Sequence, residues 1–156
     1  MKIILVDENE ETCKILKEVA QLSQSDVLCF SSFAEAASYL AQNPDVDAVI
    51  FERQIKGVVV DEFLTKTTDI DIPKILLTSA TIKAEEAKAL EDKGVDKIVP
   101  KPFNPLEVLT DVVELLKEKK GEEYIKERLH TVNADRSALK KALQKLIEFF
   151  KKLFSR

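Results

Sequence analysis

The segment GVDKIVPKPF (residues 94–103) joins a short apolar strand to a lysine that lies between two prolines. Residues 96–99 are rich in β-branched side chains, and Gly94 before them is a typical helix stop. Asn104 can then cap a new helix that has proline at its first position and runs to about residue 120. The segment therefore predicts a helix–strand–helix passage that places Lys101 at the carboxyl end of the strand.

The same alternation of strand and helix fills the preceding part of the chain. Short apolar or β-branched runs predict four earlier strands, at 2–6, 26–30, 47–51 and 74–78. Amphipathic runs between them predict helices, with caps at Asn9, Ser32 (paired with Glu35) and Thr81, and a helix of about eight residues after Gly57. Five such repeats predict an α/β fold, a doubly wound parallel sheet with helices on both faces.

Length and charge narrow the functional classes. The 156 residues, of which 45% are hydrophobic, suit one domain with a short appendage. The net charge is −4, but residues 121–156 carry nine basic and five acidic side chains, so residues 1–120 carry −8. An acidic body is not expected to bind nucleic acid.

The two cysteines and the N-terminus bear on the cellular setting. Cys13 and Cys29 lie in apolar segments, which predicts two small buried side chains and a reducing, cytoplasmic environment. The first residues, MKIILVDE, turn acidic too soon to form the apolar core of a signal peptide.

Polar side chains follow four of the five strands at their carboxyl ends, where parallel sheets bind ligands. They are Asp7, Glu8, Glu52, Thr78 and Lys101. Three crowded carboxylates repel one another unless a cation or a lysine offsets them. The pattern predicts a site in which Lys101 or a bound cation offsets the charge of Asp7, Glu8 and Glu52. A flavin or dinucleotide site is not expected, because the acidic loop after the first strand contains no glycine.

Three motifs resemble the receiver domain of bacterial two-component response regulators. They are ILVDE (4–8), LLTSA (76–80) and GVDKIVPKPF (94–103), and the resemblance covers residues 1–120. It implies a flavodoxin-like (βα)₅ fold with strand order 2-1-3-4-5 and a cis peptide bond between Lys101 and Pro102.

The resemblance also implies roles for the site residues. Asp7 and Glu8 match the acidic pair that holds Mg²⁺, and Lys101 matches the lysine that contacts the phosphoryl group. Thr78 matches the hydroxyl that follows the phosphoryl oxygen during switching. Glu52 stands at the position of the phosphoaccepting aspartate. Its extra methylene adds about 1.5 Å of reach, and a misplacement of about 1 Å can cost 100-fold in rate.

Other departures lie near Glu52. Lys56 replaces a usual proline, Val59 and Val60 replace a common Asp-Gly pair, and Ile98 replaces the aromatic switch residue. We therefore expect an atypical receiver, a signalling interaction module rather than an enzyme, in which Glu52 pairs with Lys101. Two alternatives stay open. One is a conventional phosphorelay receiver phosphorylated by a histidine kinase, and the other is a scaffold or membrane recruiter that acts through the C-terminal helix.

Residues 121–156 form a separate helical extension in this interpretation. A helix is expected over 122–130, with His130 as a surface residue, and a final helix from Asn133 or Asp135 to Phe154. The final helix carries an apolar stripe opposite its lysines, formed by Leu139, Ala142, Leu143, Leu146, Ile147, Phe150, Leu153 and Phe154. We expect this stripe to pack on its own domain or in a homodimer, with a partner protein or a membrane surface as alternatives.

Overall fold

The computed structural model describes residues 1–129 of the chain. Its strands are β1 (Lys2–Val6), β2 (Asp26–Phe30), β3 (Ala48–Glu52), β4 (Gln54–Ile55), β5 (Val58–Val59), β6 (Lys74–Thr78) and β7 (Lys97–Pro100). Its helices are α1 (Glu10–Gln21), α2 (Phe33–Gln42), α3 (Asp61–Lys66), α4 (Ala84–Asp92), α5 (Pro105–Lys120) and α6 (Glu122–Leu129). Predicted strands and helices up to residue 120 are therefore all present, with shifts of a few residues at their ends.

Five parallel strands form the central sheet in the order β2-β1-β3-β6-β7. Counting only these strands gives the order 2-1-3-4-5, which confirms the predicted fold class. Strands β1, β3 and β6 lie inside the sheet and are almost wholly buried, which explains their continuous apolar sequences. The helices that follow β1 and β3 lie on opposite faces of the sheet. The loops after these two strands therefore face each other at the carboxyl ends of the strands.

Alternate side chains of each strand enter two separate cores. In β1, Ile3 and Leu5 pack beneath α1 and α5, whereas Ile4 and Val6 pack beneath α2, α3 and α4. This alternation follows from the two-residue period of a strand. Helices thus cover both faces of the sheet. The end of the sheet where the polar groups follow the strands remains open.

Helix caps were predicted with mixed success. Asn9 and Ser32 accept hydrogen bonds from backbone N–H groups of the first turns of α1 and α2, and Asn104 does so in α5. The prediction of Thr81 as a cap was wrong, because α4 begins at Ala84 after Lys83, which makes no side-chain cap hydrogen bond. Helix α3 is also shorter than expected, since the hairpin of β4 and β5 takes up residues 54–59.

The prediction that Cys13 and Cys29 are free, buried thiols was wrong. They form a disulfide that joins α1 to β2, with Cα atoms 6.2 Å apart. Each cysteine was interpreted from its own apolar neighbours, which predict burial but carry no information on pairing. The packing of α1 on β2 brings the two side chains together, and this is a tertiary effect.

Helix α6 turns back at Gly121, whose φ of 90° suits glycine, and packs on the body of the fold. Ile125 joins the core beneath α1 and α5. Arg128 and Tyr124 both bind the carboxylate of Asp47, which is fully buried just before β3. The predictions for His130 and for the final helix lie outside the described residues. Within residues 1–129, no helix has the length and apolar character needed to cross a membrane.

Candidate functional site

A cleft of about 610 Å³ lies at the carboxyl ends of the strands. The loops after β1, β3, β6 and β7 form its walls. All five site residues predicted from the sequence line it, namely Asp7, Glu8, Glu52, Thr78 and Lys101. Arg53, Gln54, Lys56 and Gly57 complete one wall, and Ser79 and Ala80 complete another. The sheet topology therefore brings together side chains that are up to 94 residues apart in the sequence.

Lys101 connects the two central carboxylates. Its Nζ lies 2.7 Å from Oδ2 of Asp7 and 2.9 Å from Oε2 of Glu52. The ion pair predicted between Glu52 and Lys101 is thus confirmed, and Asp7 takes part in it as well. The cis peptide bond between Lys101 and Pro102 is also present.

Backbone donors hold the second oxygen of each carboxylate. Asp7 Oδ1 accepts a hydrogen bond from the N–H of Asn9, and Glu52 Oε1 accepts one from the N–H of Arg53, both at 2.9 Å. The side chains of Asp7, Glu52 and Lys101 are 2%, 13% and 16% exposed. Both carboxylates are therefore oriented by the backbone and share one shielded ammonium, which offsets only part of their combined negative charge.

The electrostatics of Lys101 agree with this geometry. Burial by itself lowers the pKa of Lys101, because it disfavours the charged form. Hydrogen bonds to Asp7 and Glu52, together with their negative charges, outweigh burial and raise the pKa above its ordinary value. Lys101 is consequently a firmly protonated cation at physiological pH.

The side chains do not fit a magnesium ion. Glu8 is exposed, and no three acidic, histidine or cysteine side chains among residues 1–129 are placed to hold a metal together. Mg²⁺ needs oxygen ligands on several sides, whereas the Lys101 ammonium already lies between Asp7 and Glu52. The weak Mg²⁺ site at Asp7, Glu8 and Glu52 therefore stays a prediction, and metal binding there would require Lys101 to move away from Asp7 and Glu52.

Thr78 is buried at the end of β6, and its hydroxyl accepts a hydrogen bond from the N–H of Ala80 at 3.1 Å. The main chain of Lys101 donates to the carbonyl of Thr78 at 2.8 Å, so β6 and β7 stay paired up to the cleft. Thr78 is thus close to Lys101 through the backbone, as the sequence predicted. Ile98, at the predicted switch position, is half-buried against α4.

Arg53 and Glu86 form an ion pair that no sequence pattern predicted. Arg53 directly follows Glu52, and Glu86 lies in the first turn of α4. The pair ties the loop after β3 to α4 across the cleft wall. Opposite charges 33 residues apart have no sequence pattern that would reveal their contact.

Comparisons with known proteins agree on the fold. No family model matches the chain. A signal receiver domain from Vibrio parahaemolyticus is 20% identical with a TM-score of 0.70, covering 80% of this chain and 95% of that one. A response regulator receiver domain protein from Clostridium thermocellum is 20% identical with a TM-score of 0.67, covering 76% of this chain and 96% of that one. The chain therefore has the fold of response regulator receiver domains.

The similarity to a curated protein extends to the sequence. The hybrid signal transduction histidine kinase D of Dictyostelium discoideum is 26% identical over 135 residues, which is 85% of this chain. The chain spans only 9% of the length of that kinase. The similarity therefore concerns one domain-sized part of a much larger signalling protein.

Proposed function

We propose that this chain is an atypical receiver domain, a protein-interaction module of two-component signalling that is not switched by phosphorylation. The observation that carries the proposal is the position of Lys101 between Asp7 and Glu52. In receiver domains the equivalent lysine contacts the phosphoryl group, and the acidic pair holds Mg²⁺. Here Lys101 instead contacts Asp7, one member of that pair, and Glu52.

The geometry opposes phosphoryl transfer in two ways. The carboxylate of Glu52 is held by Lys101 on one oxygen and by the N–H of Arg53 on the other, so turning either oxygen towards a donor would break one of these contacts. The ammonium of Lys101 would have to leave both carboxylates before it could stabilise charge on a transferring group. Each step costs ion-pair or hydrogen-bond energy in a shielded site.

The proposed partners are signalling proteins of the histidine kinase type. The similarity to a hybrid histidine kinase and the fold of receiver domains support this choice. Binding without chemistry is the proposed activity, in keeping with an interaction module rather than an enzyme. A cytoplasmic location is part of the same proposal, because receiver domains act beside the cytoplasmic parts of their kinases.

Phosphodonor chemistry tests the proposal directly. Incubation of the full chain with acetyl phosphate and MgCl₂, followed by intact mass measurement, should leave its mass unchanged. Glu52→Asp shortens the side chain by one methylene, separates the carboxylate from Lys101 and should restore a labile phosphate. Glu52→Asp combined with Lys101→Ala is the matched control and should lose that phosphate again, since the stabilising ammonium is absent.

A Mg²⁺-dependent mass gain that maps to Glu52 of the wild-type chain would contradict the proposal and favour a conventional phosphorelay receiver. The site of any modification can be assigned by peptide mapping after reduction with borohydride, which converts an acyl phosphate to an alcohol. Phosphate on a residue other than Glu52 would be assigned to that residue and would leave the Glu52 site unphosphorylated, as proposed.

A further inference from the structure

We infer that Cys13 and Cys29 form a redox modification site, at which a low-molecular-weight thiol such as glutathione opens and closes the disulfide while the chain stays folded. The proposed function of the cleft does not depend on this site. The disulfide joins the second turn of α1 to β2. If the chain acts in a reducing compartment, as proposed above, a disulfide there is more often a redox sensor than a permanent staple.

The location of the bond makes exchange possible. Strand β2 is an edge strand of the sheet, so one side of Cys29 is not covered by a further strand. Both cysteines are half-buried rather than enclosed in a core. An attacking thiolate must reach a sulfur atom, and an edge position provides that access.

The surrounding fold does not need the bond. Strand β2 pairs with β1 over five residues, from Lys2 and Asp26 to Val6 and Phe30. Helix α1 is also anchored by the buried residues Thr12, Leu16, Val19 and Ala20, and the cysteines pack at the margin of the core that the last three of these residues join. The two thiols of the reduced chain should therefore stay side by side, which favours rapid re-formation of the bond.

The exchange is balanced in electrons and protons. A glutathione thiolate attacks one sulfur, forms a mixed disulfide and releases the other cysteine as a thiolate. A second glutathione thiolate attacks the mixed disulfide at the glutathione sulfur, giving oxidised glutathione and the second cysteine thiolate. The two cysteine thiolates then take up two protons, and the reverse sequence restores the bond. Glutathione is thus oxidised by two electrons as the protein disulfide is reduced.

The bond is linked to the cleft through the start of α1. The N–H of Cys13 donates to the carbonyl of Asn9 at 3.3 Å. The N–H of Asn9 donates to Oδ1 of Asp7 at 2.9 Å, and Oδ2 of Asp7 holds Lys101. Reduction should loosen the first two turns of α1 and the loop that orients Asp7. The redox state thereby adjusts the rigidity of one wall of the cleft.

The test is to equilibrate the folded chain in glutathione buffers of increasing reduction, trap its thiols with N-ethylmaleimide and measure the intact mass. We expect a reversible two-electron change between zero and two labelled cysteines, with an unchanged far-ultraviolet circular dichroism spectrum. Hydrogen exchange should accelerate by roughly tenfold over residues 10–15 in the reduced form, while amides of β3 stay unaffected.

Variants provide the controls. Cys13→Ser and Cys29→Ser each leave one thiol, which should form a stable mixed disulfide with oxidised glutathione. The double variant Cys13→Ser/Cys29→Ser should show the hydrogen exchange of the reduced wild type in any buffer. Labelling that appears only after a denaturant is added would overturn the inference, because the bond would then be a closed structural staple. Unchanged hydrogen exchange over 10–15 would overturn the link to the cleft.

Discussion

Replacing Asp47 tests whether α6 is a firmly attached part of the fold. The Asp47 side chain is fully buried and is held by three other residues. Arg128 Nε and Nη2 bind its carboxylate at 2.9–3.2 Å, the Tyr124 hydroxyl donates to Oδ1 at 2.8 Å, and the N–H of Lys2 donates to Oδ2 at 2.7 Å. One carboxylate therefore joins α6 to β1 at the amino ends of the strands, which is the end of the sheet opposite the cleft.

The size of the effect follows from what Asp47→Ala leaves behind. Breaking a buried ion pair by removing one partner costs about 3–5 kcal/mol. Arg128 is 34% exposed, so its guanidinium can partly turn to water once Asp47 is gone. The lower end of the range, about 3 kcal/mol of unfolding free energy, is therefore expected. For a domain of about 150 residues this corresponds to a fall in Tm of roughly 6–12 °C.

Urea denaturation of Asp47→Ala, Arg128→Ala and the double variant measures both the cost and the coupling. Arg128→Ala should cost about 1.5–3 kcal/mol, the range for a hydrogen bond to a charged group, because Tyr124 and Lys2 still satisfy Asp47. The double variant should cost clearly less than the two single variants together. Lys126→Ala is the matched control on α6, since its partner Glu123 is 86% exposed, and it should change stability by no more than about 0.5 kcal/mol.

Two results would refute this reasoning. If Asp47→Ala lowers the free energy of unfolding by less than about 1 kcal/mol, the contacts of the Asp47 carboxylate are not what attaches α6 to the fold. If the destabilisation of the double variant equals the sum of those of the two single variants, Asp47 and Arg128 act independently.

Two further predictions concern the disulfide and the pH dependence of the cleft. Cys13 and Cys29 are 16 residues apart, so reducing their disulfide should lower the unfolding free energy by about 3 kcal/mol through the entropy of the opened loop. Urea titrations with and without dithiothreitol measure this change. A decrease of less than about 1 kcal/mol would contradict the prediction. The raised pKa of Lys101 means that its stabilising contribution is fully present below its ordinary pKa of 10.5 and is lost as pH rises through the higher folded value. The stability difference between the wild type and Lys101→Met should accordingly stay constant between about pH 7 and pH 10 and shrink at higher pH; a difference that grows with pH would contradict the ion pairs.

The sequence predicted those features that depend on local pattern. Continuous apolar strands, the Asn9 and Asn104 caps and the stop at Gly94 are short-range signals, and the structure contains all of them. The contact of Glu52 with Lys101 is long-range, yet it was predicted, because polar residues at the carboxyl ends of parallel strands must meet at one edge. Glu52 also stands at a position that the family resemblance singles out.

The missed features depend on tertiary packing. The Cys13–Cys29 bond, the Arg53–Glu86 pair and the cluster at Asp47 each join segments that no spacing rule connects. Thr81 has a side chain able to cap a helix, but α4 begins later, at Ala84. Capping propensity identifies residues that can start a helix, while packing of the apolar face against the sheet decides where the helix starts.

The proposed loss of phosphorylation does not rest on the length of Glu52 alone. One ammonium contacts both Asp7 and Glu52, so a phosphodonor would have to displace Lys101 from two carboxylates rather than one. A magnesium ion would likewise have to displace the Lys101 ammonium from Asp7 and Glu52 before these carboxylates could act as its ligands. Misplacement of the nucleophile, occupation of the lysine and occupation of the cation position all involve the contacts of Lys101 with Asp7 and Glu52. Their free-energy costs to phosphoryl transfer are therefore coupled rather than additive, and Glu52→Asp should reduce all three at once, since the shorter side chain releases its contact with Lys101.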